Sequence, residues 1–235
     1  MATGKLMTHL NEPRSHKALR RYIKEPVNSF SHMIGILLSL AATVVLVVLS
    51  VPDPWRIASF AVYGSTAVLL YTASTLLHTI HASPRVEYIL RRFDHAAIFV
   101  YIAGCYTPIT LVSLRPQHPE WAWSLFGAIW LIALAGVIFK VFWFRAPRWL
   151  STVLYLLMGW LALLAIRPML DVLGAGAIAW LAAGGVFYTV GAVIYATRWP
   201  DLRPGVFGYH ELWHFFVLAG SACHFVLMLL HVLPA

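Results

Sequence analysis

Met33-Ile-Gly-Ile-Leu-Leu-Ser-Leu-Ala-Ala-Thr-Val-Val-Leu-Val-Val-Leu-Ser50 runs through the first quarter of the chain without a charged residue or a proline. A helix rises about 1.5 Å per residue, so roughly 20 such residues cross the ~30 Å hydrocarbon core of a bilayer. The stretch reads as part of a transmembrane helix over residues 28–50. Comparable apolar runs place further spans at 55–78, 94–113, 121–143, 149–166, 172–196 and 210–233. Turn-forming prolines fall between them, at Pro52-Asp53-Pro54, Ser83-Pro84, Arg115-Pro116, Ala146-Pro147, Arg167-Pro168 and Trp199-Pro200. Runs of this length lack the two-residue alternation of barrel strands, and the backbone in lipid must be satisfied within helices or a closed barrel. The expected fold class is an all-α integral membrane protein, a seven-transmembrane helix bundle.

The composition agrees, with 60% of residues hydrophobic and 11% charged. A chain of 235 residues has room for those spans and short loops but for no separate soluble domain. The expected organisation is therefore a basic tail over residues 1–27 and a transmembrane domain over 28–235. The tail carries Lys5, Arg14, Lys17, Arg20, Arg21 and Lys24 but no apolar core before Val27, so it lacks a signal peptide's hydrophobic region.

Lysine and arginine orient the bundle. They crowd the tail, the second loop (Arg85, Arg91, Arg92), the fourth (Lys140, Arg145, Arg148) and the sixth (Arg198, Arg203), against only Arg56, Arg115 and Arg167 on the other side. The positive-inside rule then puts the N-terminus in the cytoplasm and, after seven spans, the C-terminus outside. The pI near 9.8 reflects these alternate loops, not one basic face. Anionic lipid headgroups, and no nucleic acid, are the expected partners. Lys140, late in the fourth span, reads as a stem snorkelling toward headgroups. Cys105 and Cys223 lie inside spans and read as packing residues. Ala179 with Ala183, Ala192 with Ala196, Gly184-Gly185 and Gly191 offer the sixth span a surface for close helix approach. Pro108 is expected to kink the third.

This orientation brings three polar clusters to one membrane face: Ser74 with His78, Asp94, and His210 with His214. Residues four apart share a helical face about 6 Å apart along the axis, so two helices can close on one ion. Three neutral imidazoles plus water make an open, catalytic-type zinc site, which His78, His210 and His214 can supply. Asp94 is positioned to orient or deprotonate a metal-bound water, and Ser74 to hold that network or donate to a substrate carbonyl. The bland alternative is interhelical hydrogen bonding, worth about 0.6 kcal/mol on average. Convergence of ionisable groups at one depth favours function.

The remaining histidines sort by position. His224 lies too deep to share the ion and reads as a core hydrogen-bonding residue, His81 competes for a ligand role, and His95 reads as interfacial. Asn28 and His32 are candidates to support the ligands, while His9, His16 and His118 read as exposed. His210-Glu211-Leu212-Trp213-His214 also matches H-E-x-x-H, in which the Glu is a protease's general base. Whether Glu211 faces the ion is open from sequence.

The motifs Glu25-Pro-Val-Asn28-Ser-Phe-Ser-His32, Ser74-Thr-Leu-Leu-His78, Arg92-Phe-Asp94 and Phe207-Gly-Tyr-His210-Glu-Leu-Trp-His214, with His224 following, resemble in order and separation those of the hemolysin III family. That family lies within the progestin and adipoQ receptor superfamily, which includes adiponectin receptors. The resemblance spans nearly the whole chain. It implies a seven-helix bundle with a cytoplasmic N-terminus in a bacterial inner membrane, a zinc held by His78, His210 and His214, Asp94 contacting zinc-bound water, and Ser74 in the same site. It further implies hydrolysis of a lipid amide or ester, as in related proteins proposed to cleave ceramides. The branch's haemolytic name keeps a sensor or pore-forming protein with structural zinc as the alternative, and an intramembrane metalloprotease is a third.

Overall fold

The computed structural model describes residues 18–143, 147–203 and 206–235. The tail residues Lys5, His9, Arg14, His16 and Lys17 and the loop residue Arg145 lie outside these. Among the described residues the chain is helical apart from its turns and one isolated bridge, Arg203 with Phe207. Helices α1 (Pro26–Leu49), α2 (Pro54–Thr79), α3 (Pro84–Pro108) and α4 (Pro119–Phe142) each start on a proline. Proline suits that position because its fixed φ is helical and its missing N–H would have no partner in the first turn. Asp53 completes the start of α2 by accepting from the amides of Trp55 and Arg56 at 2.8 and 3.2 Å.

The third helix begins ten residues ahead of the expected span. Arg85–Arg92, expected as a loop, is its first two turns, held by the Glu87–Arg91 pair at 2.6 Å. Hydropathy sees only the apolar part of a helix, whereas Pro84 marks the start. At the other end Pro108 stands where the regular helix gives way to a wider π turn over Ile109–Leu114. The missing proline N–H leaves a gap in the ladder that such a turn accommodates.

α5 (Arg148–Trp160) passes through a tight turn over Leu161–Ala165 into α6 (Ile166–Thr197), and α7 (Tyr209–Leu227) ends in a π turn over Met228–Val232. Among the described residues six helical runs are long and apolar enough to cross a membrane; the run Trp149–Thr197 is one of them, 49 residues long. A straight helix of that length would measure about 73 Å, far beyond the ~30 Å core. The run is interrupted at Gly174, whose φ of 76° and ψ of 172° belong to a region open essentially to glycine alone. Trp160 and Thr189, on opposite sides of the break, meet at 3.0 Å. The run therefore doubles back.

α1 packs on α2 and on α7, and α6 on α7. A β-carbon on Gly184 would lie 2.5 Å from the His224 ring, and one on Gly191 2.6 Å from Phe216. These two glycines, with buried Ala192, carry the close approach expected of the sixth span, whereas Ala179 and Ala196 face outward. Cys105 and Cys223 are free and buried, as packing residues are.

Candidate metal centre

Helix ends supply the site. α2 carries His78 in its last turn, α3 carries Asp94 in its third turn, and α7 opens with Tyr209 followed by His210 and, one turn on, His214. The ring centres of His78, His210 and His214 stand 4.9–5.1 Å apart, and one nitrogen from each lies within 4.8 Å of the others. Zinc–nitrogen bonds of about 2.0–2.1 Å would draw the rings slightly inward.

The outer nitrogens of His78 and His214 are anchored in the way that suits metal-binding histidines. His78 Nδ1 meets the Glu25 carboxylate at 2.7 Å, and His214 Nδ1 meets the Ser31 hydroxyl at 3.4 Å. Partners of this kind fix the tautomer that leaves Nε2 for the ion. The donor set thus fits a transition-metal ion. His32 stacks on His214 with ring centres 3.8 Å apart, and Asn28 donates to both Glu25 (2.8 Å) and Glu211 (3.1 Å). The start of α1 is consequently wired to both histidine-bearing helices. Burial on its own would raise the Glu25 carboxyl. The hydrogen bond and charge of His78, with Asn28 and His210 adding, outweigh it and hold the group at about 2.

Ser74 and Asp94 line the same cavity as the three histidines, and both Ser74 and His78 act on the Asp94 carboxylate. The cavity measures about 510 Å³ and runs from these groups along apolar side chains such as Ile98, Ile102, Leu163 and Leu181. Its size is in the range of small-molecule sites, and its make-up suits an amphiphile.

Several secondary expectations resolve differently. Glu211 spends its oxygens on structure: one accepts the Gly208 amide at 2.8 Å in a capping box, the other accepts from Asn28. His81 turns away to the Arg20 carbonyl at 3.0 Å. His224 has no hydrogen-bond partner among the described residues and instead sits edge-on to Tyr188 at 5.4 Å. His95 bonds the Arg91 carbonyl at 2.7 Å and lines the cavity. Lys140 does not snorkel: its side chain is 3% exposed and its ammonium donates inward to the Ser151 hydroxyl. A hydroxyl on α5 supplies its partner.

Glu25 is the site residue that sequence reading missed as a functional group. It precedes the first span and stands 53 positions from His78, so no helical spacing connects the two.

A helical membrane bundle with three histidines converging on the polar end of an apolar cavity defines a polytopic membrane protein with a candidate metal centre. The family model described as haemolysin-III related matches residues 20–225. This chain belongs to the haemolysin-III-related family. It is 39% identical to Hemolysin-3 of Bacillus cereus over 219 residues, covering 92% of this chain and 95% of that one. It is 38% identical to the Hemolysin-3 homolog of Bacillus subtilis over 212 residues (89% and 95%). Heptahelical transmembrane protein 5 of Arabidopsis thaliana matches more distantly, at 30% over 183 residues, or 71% of this chain and 48% of that protein.

Proposed function

We propose that this protein is a zinc-dependent hydrolase of a lipid amide or ester bond, acting at the cytoplasmic end of a seven-span bundle in the bacterial inner membrane. The observation that carries the reading is the placement of His78, His210 and His214 with Ser74 and Asp94 at the polar end of an apolar cavity. The fold-back of the Trp149–Thr197 run supports seven crossings, and the distribution of lysine and arginine supports a cytoplasmic N-terminus. A zinc ion held by the three imidazoles would lower the pKa of a water and polarise a carbonyl. Asp94 takes the proton from the attacking water and passes it to the leaving amine or alcohol. Ser74 orients Asp94 or donates to the substrate carbonyl. The cavity's apolar body holds the acyl chain, which makes membrane lipids the substrates and partners.

Purified protein, assayed for bound metal and incubated with a panel of ceramides and acyl esters, tests the reading. Stoichiometric zinc lost in His210→Ala, with zinc-dependent fatty-acid release, is the expected result. Zinc-loaded protein that releases no product from any of these lipids would overturn it.

A membrane sensor or pore with structural zinc is the second reading, favoured by the name Hemolysin-3 that the two bacterial relatives carry. Liposome conductance without product release supports it. The protease reading weakens, because Glu211 is committed to Gly208 and Asn28.

A further inference from the structure

Among the described residues Lys140 is a buried ammonium without a carboxylate beside it. It offers three donors, of which the Ser151 hydroxyl takes one. Its other neighbours include the ring faces of Phe139 and Tyr155, 5.6 and 6.0 Å away. Among the described residues no carboxylate lies within ion-pair distance of it. Two other cavity-lining cations, Lys24 and Arg91, do have a carboxylate in reach and share Glu87 at 3.4 and 2.6 Å. Asp94 is engaged elsewhere, with Ser74, His78 and His95 acting on it. A buried charge is costly unless paired, so an unmatched one lining a cavity points to a partner that arrives from outside the chain.

The surroundings define that partner. Lys140, Ser151 and Thr152 all line the cavity, and all three are less than a tenth exposed. Ser151 and Thr152 lie near the start of α5, whose flanking Pro147 makes no side-chain cap, so the positive end of that helix adds to the field of the ammonium. An ammonium and the Ser151 hydroxyl beside a helix N-terminus are a donor set for an oxyanion, with Thr152 on the same wall. Beyond these groups the cavity wall is chiefly hydrocarbon.

We propose that Lys140, with Ser151 and Thr152, binds the oxyanion head group, phosphate or carboxylate, of a membrane amphiphile whose hydrocarbon chain occupies the cavity. The inference rests on the cavity and not on hydrolysis, so binding without turnover leaves it standing.

Full-length protein in phosphatidylcholine nanodiscs is titrated with hexadecyl phosphate, hexadecanoate, uncharged hexadecanol and inorganic phosphate, read by the fluorescence of Trp160 and Trp213, which line the cavity. Losing a charge-assisted contact should make Lys140→Met bind both anionic amphiphiles about 10-fold or more weakly, with hexadecanol changed by less than about 2-fold and Lys140→Arg within about 3-fold of wild type. Unchanged anion binding in Lys140→Met, or an equal loss for hexadecanol, overturns the proposal. Inorganic phosphate binding as tightly as the amphiphiles overturns the lipid assignment. Should Lys140→Met fail to purify as a folded protein, Ser151→Ala with Thr152→Val leaves the charge in place. A selective loss of anion affinity there supports the site, and an unchanged affinity sinks it.

Discussion

At the scale of single residues, Glu25 shows how a group outside the membrane span tunes one inside it. Its carboxylate grips the outer nitrogen of His78, and removing that charge without changing shape tests the role. Glu25→Gln should weaken zinc binding about 10–100-fold, measured by competition with a chelating dye. An affinity equal to wild type would make Glu25 a purely structural cap. Asp94→Asn is expected to behave in the opposite sense, retaining stoichiometric zinc while losing lipid hydrolysis about 100-fold or more, as loss of a general base does. The meeting of His78, His210 and His214 was legible in sequence because each sits at a span end and helical spacing fixes its face. Glu25, Asn28 and Ser31 were less so, because their partners lie on other helices and only packing brings them together. Lys140 was misread for a related reason: sequence shows its distance from the membrane surface but not the Ser151 hydroxyl on the neighbouring helix.

At the scale of the element, the backbone break at Gly174 decides how α5 and α6 pair. No atom stands within 4 Å of where a β-carbon would go, so the demand for glycine is conformational and not steric. Gly174→Ala should therefore destabilise the protein by about 1–3 kcal/mol, seen as a lower midpoint in thermal unfolding in detergent. A midpoint unchanged within error would show that the turn relaxes. The span ends of α1, α2, α4 and α7 were read from hydropathy to within a few residues, whereas the turn expected at Arg167-Pro168 lies inside α6 and the break falls at Gly174. The start of α3 was missed, because Arg85, Glu87 and Arg91 make a polar helical extension that a hydropathy reading assigns to loop. The packing glycines of α6 were anticipated, but not which of the small residues would face inward, since Gly184 and Gly191 are selected by the rings of His224 and Phe216 on α7.

At the scale of the whole molecule, the candidate metal centre joins α2 to α7, and Asn28 adds α1. An ion that binds only the folded bundle stabilises it by mass action, by about 2.7 kcal/mol when free zinc stands at 100 times its Kd. Chelation should lower the unfolding midpoint, and restored zinc should recover it. His214→Ala should abolish that zinc dependence. A midpoint indifferent to zinc in the wild type would argue against occupation of the site.

α1 and α7 are the first and last helices of the bundle, yet Asn28 reaches Glu211 across 183 positions of chain. A ribosome making this protein therefore delivers His78 early, while the other two candidate ligands emerge only after nearly everything else has been threaded into the bilayer. Acquisition of an ion at the candidate centre would then be a late event. A nascent polypeptide arrested before Tyr209 holds only His78 of the three histidines, so a three-histidine site would not yet exist.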